Sequence, residues 1–444
     1  MIKIIVCITA IMLMFTAIAV IEGRAASETD FEINDSGVIS KYKGADTVLV
    51  IPSEINGIQV TGIGRWAFAN CGTLTSITLP EGIVSIGEHA FYNCRSLTSI
   101  VIPEGVTSIE YNTFSGCRSL ASITLPEGVT SIGHRAFEYC EKLTNILIPK
   151  SMTSIGDCVF SECKSLASII IPEGVTKINA DTFYNCNSLT SIALPDKLTS
   201  IGINAFRKCT SLKHIIIPES VTSIGYSAFE SCTSLESIEI PEGVSSIGSS
   251  TFSGCGSLVS IRIPDSVRSI GNSAFSFCNS LENVRIPCGV TSIGSYAFSN
   301  CGSLMSITLS ECITSIGSCA FRNCNRLNLA EIPAKNVQEI GKSVFSSHPT
   351  IHCYKNTKVD LWATEQGYDI VYLNEDEPDS IILGDVNGDG VVDGRDLLRV
   401  ARYLGGHDVD INTAAASVNG DDVVDGRDLL RLARYLGGHD VELK

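Results

Sequence analysis

Apolar side chains return along most of this chain with a period of 23 residues. A representative unit, AFYNCRSLTSIVIPEGVTSIEYN, reads A-F-x-x-C-x-S-L-x-S-I-x-I-P-E-G-V-T-S-I-G and recurs about twelve times. One unit cannot bury its own Phe, Leu and Ile side chains, so neighbouring units must stack and share one core. The pattern therefore predicts a solenoid.

Each unit predicts two short extended segments. The stretch S-I-x-I/L-P alternates apolar and variable positions and ends in proline, as at residues 99–103, which is typical of a strand closed by a turn. V-T-S-I-G predicts the second segment. The A-F-x-x-C stretch predicts either one helical turn or a tight bend.

The variable position in the first strand should place one outward-facing side chain on every unit. These side chains change from apolar to charged along the chain, and the distinctive ones are Val101, Leu147, Ile170, Ile216, Glu239, Arg262 and Arg285. Such a column is either an extended face for a protein or polysaccharide partner, or partly buried against a cap.

The repeat resembles the BspA-like leucine-rich repeats of bacterial surface and secreted proteins. That resemblance implies an α/β solenoid over residues 51–345, with an N-terminal cap at 27–50 and a C-terminal cap at 346–373. The N-terminal cap is expected to contain hairpins, and the C-terminal cap a strand, a short helix and a strand.

Twelve of the 18 cysteines follow the same 23-residue step, from Cys71 to Cys324. They are interpreted as small apolar groups in the core, because no Cys-x-x-Cys spacing or neighbouring histidine indicates a metal. Adjacent disulfides are the alternative. Off this column, Cys288 and Cys312 lie in neighbouring turn regions, which allows a disulfide that no sequence signal supports.

The first 26 residues have the layout of a secretory signal: Lys3, an apolar run from Ile4 to Val20, and small residues around Ala19 and Ala25 where a peptidase would cut. A retained membrane anchor is the alternative. After removal of a signal, no stable membrane insertion is expected, and the protein would be extracellular or bound to a cell-surface scaffold.

The formal charge of −16 argues against a nucleic-acid partner, which would require clustered Lys and Arg. None of the sequence motifs typical of serine, cysteine, metallo- or phosphate-dependent enzymes is present. The seven histidines fall on variable or terminal positions. The sequence therefore predicts no catalytic residue and a non-catalytic protein.

Carboxylates instead collect in DVNGDGVVDGRD, residues 385–396. A calcium loop needs oxygen ligands at positions 1, 3, 5, 7, 9 and 12 and glycine at position 6, which Gly390 provides. The predicted ligands of this first calcium site are Asp385, Asn387, Asp389, the carbonyl of Val391, Asp393 and Asp396.

The loop and the helix expected after it are then repeated, because residues 391–409 and 423–441 differ at one of nineteen positions. The predicted ligands of the second calcium site are Ser417, Asn419, Asp421, the carbonyl of Val423, Asp425 and Asp428. Ser417 replaces an acidic first ligand and Asp422 replaces the turn glycine. This second site is expected to be the weaker of the two.

Two such loop-helix units without an entering helix resemble a type I dockerin, a small all-α calcium-binding module with two F-hand units, here over residues 381–444. The resemblance implies Ca²⁺ as cofactor and a cohesin module of a cellulosomal scaffold protein as partner. The cohesin-binding residues carried over are Gly394, Arg395, Arg402, Tyr403, Gly426, Arg427, Arg434 and Tyr435. The alternative is that these arginines bind no partner and only keep the helices soluble.

Together these observations predict a secreted recognition or adhesion protein, whose solenoid binds an extracellular ligand and whose dockerin follows an acidic linker at residues 374–380. Two other functions remain open. One is a free adhesin or signalling protein with a calcium-stabilised tail, and the other is a carbohydrate-active or peptidase enzyme of an unrecognised type.

Overall fold

The computed structural model describes residues 27–373, 383–386, 392–406, 411–412, 416–418, 424–436 and 443. The predicted signal segment and the acidic linker lie outside these residues. The chain divides into two compact units, Met1–Gly174 and Val175–Lys444. Within the described residues, no helix has both the length and the apolar character required to cross a membrane.

The first unit contains two columns of parallel strands, built from the two extended segments of each repeat and divided into several short sheets. Strands pair in register, with Ser99 opposite Ser122 and Ile100 opposite Ile123. One column of strands is Val48–Val50, Ser76–Thr78, Ser99–Val101, Ser122–Thr124 and Ser168–Ile170. The other is Gly62–Ile63, Ser85–Ile86, Ser108–Ile109, Ser131–Ile132 and Ser154–Ile155.

The second unit repeats this arrangement. Its first column of strands is Ser191–Ala193, His214–Ile215, Ser237–Ile238, Ser260–Ile261, Asn283–Val284, Ser306–Thr308 and Leu329–Glu331. Its second column is Lys177–Ile178, Ser200–Ile201, Ser223–Ile224, Ser246–Ile247, Ser269–Ile270, Ser292–Ile293, Ser315–Ile316 and Glu339–Ile340. Each unit is therefore a β-solenoid, which confirms the predicted architecture.

Stacked phenylalanines fill the core of both units. The rings of Phe91 and Phe114 lie 5.3 Å apart between centroids and are parallel within 2°. In the second unit Phe298 and Phe321 have the same separation and are also parallel within 2°. These side chains are fully buried. Identical residues at identical heights therefore form a continuous apolar column.

The A-F-x-x-C stretch forms tight bends, which decides between the two structures that the sequence left open. Each bend uses two left-handed residues, such as His89 with φ of 57° and Asn93 with φ of 60°. Backbone N–H groups of one coil then donate to the next coil, as from Phe91 to the Thr113 carbonyl at 2.9 Å. The polar backbone of the bend is thereby satisfied between coils.

The cysteine column has a bonding role beyond packing. The Cys94 thiol lies 3.0 Å from the Phe68 carbonyl oxygen, and the Cys232 thiol lies 3.1 Å from that of Phe206. The donor and the acceptor are 26 residues apart in both cases. The thiols are buried, as predicted, and each one donates a weak hydrogen bond to the preceding coil.

Glycine in the V-T-S-I-G segment is required by close stacking. A Cβ atom at Gly156 would lie 2.6 Å from the His134 backbone nitrogen. A Cβ atom at Gly225 would lie 2.5 Å from the Ile203 nitrogen in the second unit. Side chains at these positions would push successive coils apart, so the glycine recurs with the repeat.

Hairpins precede the first coils. After a short 3-10 helix at Glu28–Asp30, strand Phe31–Ile33 pairs antiparallel with Val38–Tyr42, which continues into the parallel sheet beside Gly62–Ile63. Glu54–Ile55 and Ile58–Gln59 form a second hairpin. Its turn residues Asn56 and Gly57 have φ of 51° and 78°, as a two-residue hairpin turn requires.

The last coils of the second unit are followed by strand Thr350–Cys353, helix α1 at Lys358–Gln366 and strand Ile370–Tyr372. Thr357 caps the start of α1 by accepting a hydrogen bond from the Asp360 N–H, and Gly367 ends it in the left-handed conformation. Two further helices, α2 at Gly394–Leu404 and α3 at Gly426–Leu436, belong to the C-terminal repeat.

Cys288 and Cys312 form a disulfide with a Cα–Cα distance of 5.4 Å. Fifteen other cysteines of the described residues are not disulfide-bonded. This result favours the interpretation of the cysteine column as core packing over a ladder of disulfides.

Replacing both Cys288 and Cys312 by serine should lower the unfolding free energy by about 3 kcal/mol, because the bond closes a loop of 24 residues in the unfolded chain. Thermal unfolding without reductant measures the change. Cys319→Ser removes a thiol that is free in the structure and is the matched control. Equal melting temperatures for the double variant and the control would contradict the disulfide.

Stability should also fall above pH ~8.5, the pKa of an unperturbed thiol. Burial raises the pKa of Cys232 and of Cys278 to about 12. Between those values the unfolded chain loses thiol protons that the folded chain keeps, so rising pH favours unfolding. Denaturant titrations at pH 7 to 10 should show this decline, and Cys232→Ala with Cys278→Ala should make it shallower. An unchanged slope would rule out these thiols as the cause.

Candidate metal centre

The C-terminal repeat has a small core of its own. Val386, Val400, Ala416, Val418 and Leu432 are all buried there. Val400 lies in α2 and Leu432 lies at the matching position in α3, so the two helices contribute equivalent residues to one core.

Asp393 and Asp396 are brought together at the start of α2. Asp393 caps the helix by accepting from the Arg395 N–H at 2.8 Å. Asp396 is fully buried, and its two oxygens accept from the backbone N–H groups of Asp393 and Val386, both at 2.8 Å. This capping box fixes both carboxylates relative to the loop that precedes the helix.

The second copy repeats these contacts at the start of α3. Asp428 is fully buried and accepts from the Asp425 N–H at 2.9 Å. Asp425 in turn accepts from the Arg427 N–H at 2.7 Å. The sequence identity between the copies is therefore matched by the same local hydrogen bonding.

The first ligand positions of both loops lie against the small core. Asp385 is 6% exposed and Ser417 is 6% exposed. Within the described part of the chain, the buried Ser417 hydroxyl has no hydrogen-bond partner. The other predicted ligands, Asn387, Asp389, Val391, Asn419, Asp421 and Val423, lie outside the described residues.

These observations fit an oxygen-bound cation. A carboxylate is rarely buried without a compensating charge or donor, and Asp396 and Asp428 are both completely buried. An orphaned hydroxyl at Ser417 is the kind of group that a metal would satisfy. The donor set contains oxygen only at the described positions, which suits calcium.

Arginine side chains form hydrogen bonds with the aspartates at the ninth position of each loop. The Arg395 side chain donates to the Asp393 carboxylate at 2.9 Å, and Arg427 donates to Asp425 at 2.9 Å. These hydrogen bonds are the main cause of the lowered pKa of Asp393 and of Asp425. Both carboxylates therefore stay ionised at neutral pH, as metal ligands must be.

The residues predicted to bind cohesin lie on the surface of α2 and α3. Gly394, Arg395, Arg402 and Tyr403 are exposed, as are their counterparts Gly426, Arg427, Arg434 and Tyr435. Tyr403 and Tyr435 are 41% and 44% exposed. The bonds of Arg395 and Arg427 to loop carboxylates were not foreseen, although an Arg two residues after an N-cap Asp is the sequence signal for them.

Two contacts join the C-terminal repeat to the solenoid of the second unit. Arg285 Nη1 lies 3.7 Å from Asp385 Oδ2, and Arg399 lies 3.4 Å from Asp265. Sequence reasoning missed both pairs, because no local pattern relates residues so far apart in the chain. Arg285 therefore neighbours the first calcium loop, in addition to its place in the outward-facing column.

The apolar members of that column are strongly exposed. Val101, Leu147 and Ile170 in the first unit are 66%, 75% and 69% exposed, and Ile216 in the second unit is 86% exposed. Glu239 is exposed, whereas Arg262 is half-buried and lies 2.6 Å from Glu242.

One group of three side chains among all described residues, those of the loops included, has metal-ligand spacing: Cys288, Glu311 and Cys312. The two sulfurs of this group are joined as a disulfide, so they do not offer thiolate ligands.

Comparison with known families gives two matches. The family model of the BspA type leucine-rich repeat region matches residues 49–167, 130–258 and 245–359, and that of the type I dockerin domain matches residues 383–437. A search of curated proteins finds no match. Both resemblances inferred from the sequence are thereby confirmed.

Solved bacterial structures are also similar. A leucine-rich repeat protein from Bacteroides ovatus is 31% identical, with a TM-score of 0.63, over 76% of this chain and 94% of that chain. A leucine-rich cell surface protein from Faecalibacterium prausnitzii is 30% identical, with a TM-score of 0.42, over 71% of this chain and 93% of its own.

Calcium titration of the full chain should separate the two loops. Asp396→Asn should weaken calcium binding at the first loop about tenfold or more, since it removes one buried charged ligand. Ser417→Asp should instead strengthen binding at the second loop, because it restores the missing carboxylate. Isothermal calorimetry measures both affinities.

Glu219→Gln, on an exposed turn of the solenoid, removes one negative charge far along the sequence from the loops and is the control. Equal effects of Asp396→Asn and Glu219→Gln would show that Asp396 does not bind calcium. A Ser417→Asp variant with unchanged affinity would exclude position 417 as a ligand.

Proposed function

Because the chain belongs to the BspA-type leucine-rich repeat proteins and carries a type I dockerin, we propose that it is a secreted recognition protein anchored to a scaffold. A type I dockerin implies calcium binding and a cohesin partner. The leucine-rich solenoid and the dockerin are both non-catalytic families. The proposal therefore assigns attachment to the dockerin and recognition to the solenoid.

Calcium would be held by the two loops. In the first, Asp385, Asp393 and Asp396 supply carboxylates from the described residues, and in the second Ser417, Asp425 and Asp428 take the equivalent places. The bound ion supplies positive charge that lets several carboxylates lie close together. The protein positions these groups by capping α2 and α3 with the same side chains.

The near-identity of the two copies supports attachment in either of two orientations. α2 and α3 present Arg402 and Arg434, and Tyr403 and Tyr435, at matching positions. Leu398 and Leu430 are each 54% exposed on the same helices. A partner that fits one helix would therefore fit the other after a half turn of the dockerin.

The observation that carries the proposal is the paired set of buried aspartates. Asp396 and Asp428 are completely buried at the starts of two equivalent helices. A tail that only kept the chain soluble would expose its carboxylates. Buried and hydrogen-bonded carboxylates in duplicate instead indicate a module whose fold depends on a cation.

The solenoid would bind an extracellular ligand through an extended surface. Its exposed column of Val101, Leu147 and Ile170 offers apolar area that a soluble monomer would usually bury. Non-catalytic recognition is favoured over hydrolysis, because the described carboxylates of the repeats recur at turns and do not converge on one cleft.

Capture of the full chain on immobilised type I cohesins tests the attachment. Capture should require calcium and should be lost with excess chelator. Arg395→Ala with Arg402→Ala should leave most capture intact, since α3 replaces α2. The corresponding change in α3, Arg427→Ala with Arg434→Ala, should behave alike, and all four substitutions together should abolish capture.

Calcium calorimetry on the fourfold variant is the control, because retained calcium binding separates a lost contact from a lost fold. If no cohesin captures the calcium-loaded chain, the free adhesin or signalling alternative is favoured. If the fourfold variant is captured as well as the unmodified chain, the arginines serve only to keep the helices soluble.

A further inference from the structure

A surface groove of about 390 Å³ crosses three successive coils of the first unit. It forms where the middle coil carries small residues, Ser115 and Gly116. The coils on either side carry Tyr92 and Tyr139 near the same height, and both rings line the groove. The smaller side chains of the middle coil therefore leave a groove between the two tyrosine rings.

The groove is basic although the chain carries a formal charge of −16. Arg95, Arg118 and Arg135 line it, and Glu138 is the one acidic group among the described residues of its lining. Arg118 lies 3.6 Å from Glu141 just outside, and Arg95 donates to Asn93 Oδ1 at 2.8 Å. The net charge of the lining favours an anion.

A buried polar pair lies at the edge of this groove. Asn112 lines the groove, is 8% exposed, and its Nδ2 lies 3.1 Å from His89 Nε2. Among the described residues no hydrogen-bond partner reaches Asn112 Oδ1 or His89 Nδ1. Asn112 therefore brings an unpaired buried acceptor to the lining of the groove.

The bends beside the groove carry large side chains. Trp66, His89 and Arg135 adopt φ of 62°, 57° and 57°, values that large side chains seldom accept. Trp66 stacks on His89 with 3.8 Å between ring centroids. Cys158 and Tyr296 adopt the same conformation at the equivalent position of other coils, so this bend is common to the repeats and only its side chains differ here.

We propose that this groove binds an anionic oligosaccharide, with arginine side chains on its carboxylate or sulfate groups. The inference assigns a site and a ligand class to the recognition role, and it rests on that part of the proposed function. Arginine matches planar and tetrahedral anions through paired N–H donors. The tyrosine rings offer flat apolar surfaces for the C–H faces of sugar rings.

A saccharide suits this groove better than a peptide does. A hydroxyl group both donates and accepts, so a sugar hydroxyl can donate to Asn112 Oδ1 and still accept from a neighbouring arginine. The groove crosses several coils and is open to solvent, so it admits a polymer chain lying along the surface. Its lining is mostly polar and lacks the deep apolar pocket that anchors a peptide side chain.

The test titrates the full chain with short oligogalacturonate, with a sulfated carrageenan oligosaccharide and with a neutral cello-oligosaccharide. A chelator is present throughout, so that calcium does not bridge sugar and protein. At least one anionic probe should bind ten or more times more tightly than the neutral one. Binding of oligogalacturonate identifies the anionic group of the ligand as carboxylate, and binding of the carrageenan oligosaccharide identifies it as sulfate.

Substitutions that copy residues of other repeats keep the coil intact. Arg118→Asn and Arg135→Asn introduce the residues found at the equivalent Asn187 and Asn204, and each should weaken anionic binding about tenfold. Tyr139→Ser copies Ser231, which has φ of 61°, and should also weaken binding. Arg326→Ser copies the serine of other repeats outside the groove and is the charge-matched control.

The inference is overturned if neither anionic probe binds, if the neutral probe binds equally well, or if Arg326→Ser weakens binding as much as the groove variants. Cohesin capture by the same variants, measured separately in calcium without chelator, reports attachment independently. If the chain is captured by cohesin and binds an extracellular polymer through another face, the proposed function stands. This groove is then excluded as the binding site.

Discussion

Contact between neighbouring coils is the constraint on which the rest of the molecule depends. A single 23-residue coil contains Phe, Leu and Ile side chains but has too little structure to enclose them. Its backbone groups are likewise satisfied by the next coil, as when Phe91 donates to Thr113. Core packing, hydrogen bonding and strand spacing therefore all follow from the regular stacking of one coil on the next. Each repeat position lies beside the equivalent position of the neighbouring coils.

Much of this architecture was predictable from sequence, because a core position in one repeat is a core position in all. The Phe and Cys columns and the two strands follow directly from the repeated letters. The bends were harder to predict. Their left-handed positions accept Trp66, His89 and Arg135 as well as asparagine, so residue type alone does not reveal the conformation. The thiol-to-carbonyl bonds also required three-dimensional neighbours.

The candidate metal centre was predictable for a different reason. Calcium loops place oxygen ligands at fixed intervals within twelve residues, so the ligand set can be recognised from a short stretch of sequence. What the sequence concealed was long-range: Arg285 beside Asp385, and Arg399 beside Asp265. The basic groove was hidden for a similar reason, because Ser115 and Gly116 become a notch only when residues 23 positions away are placed next to them.

The thiol bonds run in one direction, as from Cys94 to Phe68 and from Cys232 to Phe206, with the acceptor 26 residues before the donor. This offset equals one repeat plus three residues, so it survives any insertion or deletion of whole repeats. Genetic recombination between near-identical repeats in the gene would thus lengthen or shorten the stack without leaving a donor unmatched. Evolution is free to adjust the span and the order of surface residues while the bonding pattern stays constant.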